Sequence, residues 1–458
     1  MNTSSLLSEP ISKLLLRLAI PSSLGLMFNT FYNIVDTYYA GLISTQALSA
    51  LSSSAFLFFV IIGLGYGGSN GITTLVGHAL GDQKHHEARM YASKGLGLLL
   101  LLGIAMGIFG YLTTPSILIL VGVEPIYQTM ALAYIEVILL GTPLFFANFG
   151  LNAILVATGD TKSYRNTLIF GFFANLLLNP LFIFGWKTIP AMGIGGIALS
   201  TVVIQTINAS YLFIKVTKTQ LLTWSYFKPD NATAKTIIAQ SLPAALNMLM
   251  ISFGSLMALY FVTHYGYKAV AGYGIGYRVE QLLLLPALGI SSATLSLVSN
   301  NMGAKNLIRV RESLFTALKY GYSIALFGVI ILYFSAQWLI SRFDNDEEVI
   351  AYASAYISVM MLLFFGYVTH FVCVATLQGI KHPKMIFYIG AFRQLLAPMI
   401  VYIFIVKVWN LSFVWMWIGL ACIVYSSAVA ILWHTLKTLA NIDETQKKDP
   451  SKSKNIYM

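Results

Sequence analysis

Charge is what this sequence has least of. Lys, Arg, Asp and Glu together make up 10% of its 458 residues, against 57% that are hydrophobic, too little polar surface to wrap the apolar runs into one water-soluble core. The bilayer is the solvent these proportions fit. Acids are scarcer than bases, 17 against 28, leaving a net charge of +11. That excess does not indicate nucleic acid, because the basic residues fall in alternate loops, where retention on the cytoplasmic side is the simpler cause. The only two cysteines, Cys373 and Cys422, stand alone in apolar segments, without metal-ligand spacing or a disulfide framework, and neither is given a role. The opening MNTSSLLSEPISK lacks a positive leader, a short apolar region and a small-residue cleavage site, so a cleaved signal peptide is not expected.

Crossing ~30 Å of hydrocarbon takes roughly 20 mainly apolar residues. Twelve such segments are predicted, at 14–39, 51–79, 92–113, 128–155, 167–186, 193–214, 237–264, 271–300, 313–340, 350–376, 386–406 and 413–435. The expected fold class is an all-α integral membrane protein with twelve transmembrane helices in two pseudo-symmetric six-helix lobes. With the N-terminus inside, 22 of the Lys and Arg residues lie on the cytoplasmic side, opposed only by Lys187, Lys268, Arg342 and Lys407, while the acidic cluster Asp344, Asp346, Glu347 and Glu348 faces outward. Both termini are therefore expected to be cytoplasmic.

The second half of the chain repeats the first at a shift of 222 residues. Pro21 falls on Pro243, Ala47 on Ala269, Gly81 on Gly303 and Arg89 on Arg311, whereas Asp36 falls on Ala258 and Asn33 on Ser255. The turns VGHALGDQKHHEAR at 76–89 and VSNNMGAKNLIRVRES at 298–313 correspond, and their glycines are read as helix C-caps followed by basic residues at the negative end of the helix dipole. A further match, at a shift of 220, pairs Gly159 in ATGDTK with Gly379 in LQGIKHPK. The longest polar connection, around Trp224, Pro229 and Asp230, marks the lobe boundary. It gives an N-lobe at 1–214, a linker at 215–236, a C-lobe at 237–435 and a cytoplasmic tail at 436–458. An even number of spans between paired segments makes the repeats parallel, and transporters of this kind bind substrate near mid-membrane.

PSSLGLMFNTFYNIVDTYYAG at 21–41, the two glycine turns, the GDTK/GIKHPK pair and the two-by-six arrangement resemble the multidrug and toxic compound extrusion (MATE) transporters over nearly the whole chain except its last twenty or so residues. The resemblance is closer to the proton-coupled bacterial, DinF-like branch, whose first-lobe acid sits in the first span; sodium-coupled relatives place further acids in the second lobe. It implies a bacterial cytoplasmic (inner) membrane protein, small-molecule drugs and dyes as substrates, a hinge at Pro21, and a hydrogen-bond network of Tyr32, Asp36, Asn175, Asn179 and Thr201. At Asn179 the chain departs from relatives that carry a second aspartate before the proline, which weakens a shared-proton pair.

Span one places Asn29, Tyr32, Asn33 and Asp36 on one helical face, and Asn175 and Asn179 share a face of span five. Burying an ionised carboxylate without a cation is costly; desolvation favours the neutral acid, while amide and hydroxyl donors restore the charged one, so small changes in hydration switch its state. The alternative is a structural cap between helices, which the rarity of intramembrane acids disfavours. Pro21 removes a helical donor and leaves a weak point for bending, or is simply tolerated. In the second lobe Arg278, Glu280, His370 and Arg393 form a possible polar site. There, Arg278 and Glu280 point to different faces, so that Glu280 is expected to pair with Arg393 or a neighbouring helix. GLGYGGSNG at 63–71 lies within a helix and is read as close packing rather than nucleotide binding, and His78, His85 and His86 lack partners for a metal site.

The expected function is secondary active efflux of cationic or amphiphilic compounds in exchange for protons, by alternating access. No cofactor beyond the proton gradient is expected, sodium being less favoured; the protein is expected to be a monomer among membrane lipids, with no nucleic acid partner. A sodium-coupled drug antiporter and a lipid-linked saccharide flippase are the alternatives, the flippase wanting a cationic cavity for which only Arg278 and Arg393 are available. A membrane enzyme would need a nucleophile–base pair or a metal cluster, and neither is visible. Reporters fused after Lys228 and after Lys447 should lie on the cytoplasmic side and one near Asn345 outside; an outward signal at Lys228 would overturn the twelve-span topology.

Overall fold

The structure, a computed structural model, describes residues 3–120, 122–228 and 230–448. Among these residues twelve helical segments are long and apolar enough to cross a membrane. After a short N-terminal helix α1 (Thr3–Ser8) come α2 (Ile11–Ile43), α3 (Thr45–Gly81), α4 (His85–Leu120), α5 (Pro125–Ala157), α6 (Lys162–Phe184) and α7 (Ile194–Thr217). The second set is α8 (Asn231–Val262), α9 (Tyr267–Gly303), α10 (Leu307–Ile340), α11 (Glu347–Gly379), a broken span and α14 (Phe413–Lys448). The broken span consists of α12 (Lys384–Ala391), a π-turn at Phe392–Leu396, α13 (Ala397–Tyr402) and a second π-turn at Ile403–Val408. Pro398 sits just past the first π-turn; its ring clashes with the carbonyl four residues back, and inserting one extra residue per turn is a common accommodation.

All twelve expected spans correspond to helices, most of which run several residues further. Hydropathy marks only the part in hydrocarbon, whereas a helix continues into water wherever its polar residues permit. The last is the extreme case: α14 passes through residues 436–448, which were expected to be tail, and residues 449–458 lie outside the described residues.

Both repeat turns differ in detail from the sequence expectation. Gly81 and Gly303 are the last helical residues, and the left-handed position two residues on belongs to Gln83 and Lys305, each at φ 57°. The turns close alike, Lys84 N donating to Ala79 O at 2.8 Å and Asn306 N to Asn301 O at 2.9 Å. At the next pair of turns Gly159 (φ 82°) corresponds to Lys381 (φ 61°) and not to Gly379. The closing bonds, Asp160 N to Leu155 O and His382 N to Leu377 O, keep the shift at 222. Gly379 serves close packing instead, since a Cβ there would lie 2.7 Å from Val298 Cγ1. Sequence matching aligned glycine with glycine; backbone conformation aligns left-handed residue with left-handed residue.

The described chain divides into two compact units. One is Leu24–Ala245; the other takes the residues up to Ser23 and those from Leu246 onward. These bounds differ from lobes cut at a 215–236 linker, because α2 and α8 each change unit part-way along, two residues beyond Pro21 and Pro243. Glycine notches explain the exchange. A Cβ on Gly67 of α3 would lie 2.5 Å from Ala245 N and 2.6 Å from Ala245 Cα, and one on Gly289 of α9 would lie 2.8 Å from both Ala19 O and Ser23 N. The two contacts are counterparts at the 222-residue shift: Gly67 matches Gly289, and Ser23 matches Ala245. Small residues let helix backbones approach this closely, and packing of that kind drives helix association in lipid.

Side chains hold the connecting segments within each unit. Gln220, Thr223, Tyr226 and Asp230 of the linker are bound to α4: Ser93 Oγ accepts from Thr223 N at 2.9 Å, Arg89 Nε donates to Gln220 O at 3.0 Å, Tyr226 hydroxyl and His86 Nε2 lie 2.7 Å apart, and Lys94 pairs with Asp230. The Lys94 hydrogen bond holds the Asp230 carboxyl well below the usual carboxylate range. In the other unit Arg309 donates to Glu9 O at 2.7 Å and to Asn301 Oδ1 at 2.9 Å, and Arg17 bonds the Glu9 carboxylate at 3.2 Å.

The notches predict that Gly67→Ala and Gly289→Ala each lower stability by about 1–3 kcal/mol through overpacking, while Gly274→Ala, where a Cβ meets nothing within 4 Å, is neutral. Thermal unfolding of the purified variants checks this; equal melting points for all three would remove the close-packing explanation of the exchange.

Candidate functional site

Three helices of the first unit converge on one carboxylate. Asp36, on α2, is buried, as are Asn175 and Asn179 one turn apart on α6 and Ser200 and Thr201 on α7. Both amides donate to the same oxygen: Asn175 Nδ2 and Asn179 Nδ2 each lie 2.8 Å from Asp36 Oδ1. Asn179 Nδ2 also reaches Asn175 Oδ1 at 3.1 Å, and the Ser200 hydroxyl donates to Asn179 Oδ1. One turn before Asp36, the Tyr32 hydroxyl donates to Thr201 Oγ1 at 2.8 Å, and Thr201 in turn donates to Ile197 O at 3.1 Å. Among the described residues no cation pairs with Asp36, and no group of three or more His, Cys, Asp or Glu side chains is placed to hold a metal. A lone carboxylate with neutral donors can bind or release a proton without breaking an ion pair.

The expected residues divide cleanly. Tyr32, Asp36, Asn175, Asn179 and Thr201 come together, whereas Asn33 is exposed and donates its amide to Asn29 O on its own helix at 3.0 Å. Ser200 completes the network and was missed; serine is common in membrane helices, and its one distinction is its place next to Thr201 on α7. None of the core members repeats. At the 222-residue shift Tyr32, Asp36, Asn175 and Asn179 become Gly254, Ala258, Ala397 and Val401.

The second unit holds a different polar cluster. Glu280 is buried on α9 and accepts from the Tyr356 hydroxyl on α11. Arg393 lies in the π-turn with its guanidinium 5.6 Å from the Tyr367 ring, and its Nε has no hydrogen-bond partner. It forms no ion pair with Glu280 within 4.0 Å among the described residues. Of the two partners expected for Glu280, Arg393 or a neighbouring helix, the hydrogen bond comes from the neighbouring helix α11, through a tyrosine and not a cation. His370 is buried with both ring nitrogens unpartnered. Arg278 is exposed, two residues along a helix from Glu280 and therefore on another face. Pro21 is buried inside α2, which stays helical through it.

Comparison with known proteins settles what this architecture belongs to. The MatE family model matches residues 21–181 and again 243–403, two stretches separated by the 222-residue repeat. The chain belongs to the MatE family. It is 28% identical over 360 residues to a protein named FAD transporter from Shewanella oneidensis, covering 78% of this chain and 79% of that one. It is 26% identical over 434 residues to a probable multidrug resistance protein NorM from Thermotoga maritima, covering 92% of each. A crystal structure titled MATE in the bent conformation superposes with a TM-score of 0.90 at 22% identity, over 98% of this chain and 99% of that one. This MatE chain is accordingly a multi-pass membrane protein of a multidrug efflux transporter family.

The network predicts unequal costs for three variants of this MatE chain. Ser200→Ala leaves the buried Asn179 oxygen without its donor and should cost about 1–3 kcal/mol; Tyr32→Phe should cost about 0.5–1.5 kcal/mol; Asn33→Ala should cost nothing measurable. Thermal unfolding in detergent tests the ranking, and an Asn33→Ala defect as large as that of Ser200→Ala would contradict it.

Proposed function

We propose that the chain is a proton-coupled antiporter of the cytoplasmic membrane, exporting cationic or amphiphilic small molecules, with Asp36 as the group that carries the proton. One observation carries this reading: a buried carboxylate held on a single oxygen by two amides, with no counter-cation. Protonation at Oδ2 leaves both bonds to Oδ1 in place, so charge changes by one unit without the network being dismantled. A cationic ligand 4 Å away gains about 4 kcal/mol from the ionised acid at an effective dielectric near 20, and loses that attraction when a proton arrives. Drug and proton thereby exclude one another, and a proton gradient drives the drug outward through the two access states.

The direction of the amides favours protons over sodium. Asn175 Oδ1 accepts from Asn179 and Asn179 Oδ1 accepts from Ser200, so the site turns N–H groups, not oxygens, toward Asp36. A hard cation prefers several oxygen ligands and is offered one carboxylate. The proline two residues before the change of unit in α2 supports a hinge at Pro21, because a missing backbone hydrogen bond lowers the cost of bending there.

A second reading concerns the cargo. The Shewanella relative is named a FAD transporter, and this chain has an exposed arginine, Arg278, in the first half of α9 that forms no ion pair among the described residues. An anionic dinucleotide would match that charge, as would the pyrophosphate of a lipid-linked saccharide.

Proteoliposomes containing purified, monodisperse variants test both readings. Asp36→Asn keeps the shape of the protonated acid but cannot release a proton, and should bring proton-driven dye efflux to background. Glu280→Gln and His370→Ala should weaken it less, and Pro21→Ala should impair it by stiffening α2. Wild-type rates for Asp36→Asn, or efflux that ignores a collapsed proton gradient and follows sodium, would refute the coupling assignment. FAD transport lost on Arg278→Gln with dye efflux retained would select the anionic cargo.

A further inference from the structure

Within the first unit, α4, α5, α7 and the anchored linker enclose an open groove of about 450 Å³, within the ~300–1,000 Å³ range of ligand pockets. Its walls are Leu96 of α4, Leu151 of α5, and Phe213 and Ile214 of α7, with Trp224 and Phe227 from the linker. No charged side chain lines it. The linker wall is preformed, because Thr223, Tyr226 and Asp230 on either side of Trp224 and Phe227 are tied to α4, and the two aromatic rings stack with centroids 5.2 Å apart. Trp224 nonetheless remains 76% exposed. A large aromatic left open at the end of a span is characteristic of the membrane–water interface.

Cations flank this groove without partners of opposite charge. Lys218 stands one turn after Ile214 on the same side of the helix, just past the end of α7, and Lys228 follows Phe227; both are exposed. Neither forms an ion pair among the described residues, and the nearby acid Asp230 is taken by Lys94. A cationic amphiphile, the cargo proposed for the transport pathway, would meet two like charges here. An apolar trough ending in an aromatic and cationic rim fits the opposite amphiphile. We propose that it is a binding site for one anionic phospholipid of the cytoplasmic leaflet, its acyl chain in the groove and its phosphate on Lys218 and Lys228. Each lysine near an anionic headgroup contributes on the order of 1 kcal/mol, so the site selects by headgroup charge while the groove selects only for a chain. A lipid seated there also packs against the linker at Trp224.

Native mass spectrometry of the full chain in detergent tests the proposal, with phosphatidylglycerol and phosphatidylcholine of identical chains supplied at equal concentration. The expected result is a first phosphatidylglycerol adduct at least threefold more abundant than the phosphatidylcholine one. The Lys218→Gln/Lys228→Gln variant should abolish that preference, and Ser210→Trp, which fills the groove, should reduce both adducts. The control Lys162→Gln/Lys235→Gln removes equal charge from the same unit and should keep the preference. Equal binding of the two lipids by the unmodified chain, an equal loss of preference in the control, or displacement of the lipid by millimolar inorganic phosphate would each overturn the proposal.

Discussion

The arrangement of the first unit turns on one requirement: a buried carboxylate must have its charge answered by fixed donors, because burial strips its hydration and, among the described residues, no lysine or arginine pairs with it. Two asparagine amides meet it at Asp36 Oδ1. That requirement reaches outward through the structure. Asn179 can present its nitrogen only if something else satisfies its oxygen, which Ser200 does from α7, and Tyr32 to Thr201 ties the preceding turn of α2 to the same helix. Three spans are thereby set against one another in a single register. In a bilayer, where apolar helix faces gain little by leaving lipid, such contacts carry much of the specificity that a hydrophobic core supplies in water.

Much of the fold was open to reading from the sequence, and for a simple reason. Hydrocarbon thickness imposes a length, backbone satisfaction imposes a helix, and gene-length repetition makes each half a check on the other. What escaped depends on backbone conformation. Gln83, Lys305 and Lys381 occupy left-handed positions that composition assigns to glycine, so the turns were centred on Gly81, Gly303 and Gly379 instead. The division into units escaped as well, because residue type does not record which neighbours a half-helix packs on; the relevant signs, Gly67 and Gly289, look like any small residues in a membrane helix.

The site was legible where chemistry forces rarity. An aspartate and paired asparagines in apolar segments stand out, but a stripe around 100° wide is broad enough for two fates: Tyr32 and Asp36 face α6 and α7, while Asn29 and Asn33 are exposed. Ser200 was invisible because serine is common in membrane helices. For Glu280 the sequence left Arg393 or a neighbouring helix open, and it could not single out Tyr356 of α11, the residue that donates to it, because a tyrosine does not stand out in a membrane helix. The two units thus share a backbone plan while carrying unrelated polar clusters, Phe58, Asn148 and Gly171 standing at the first-unit counterparts of Glu280, His370 and Arg393.

The glycine notches make each repeat depend on a residue of the other. Ser23 belongs to the first repeat by sequence yet fills the notch at Gly289 in the second; Ala245 belongs to the second repeat yet fills the notch at Gly67 in the first. Neither repeat contains within its own sequence the residues that complete its second helix. This is the arrangement of two protomers that trade an arm, here sealed into one polypeptide. Cutting the chain between its repeats would leave the notches at Gly67 and Gly289 each without the small residue that fills it.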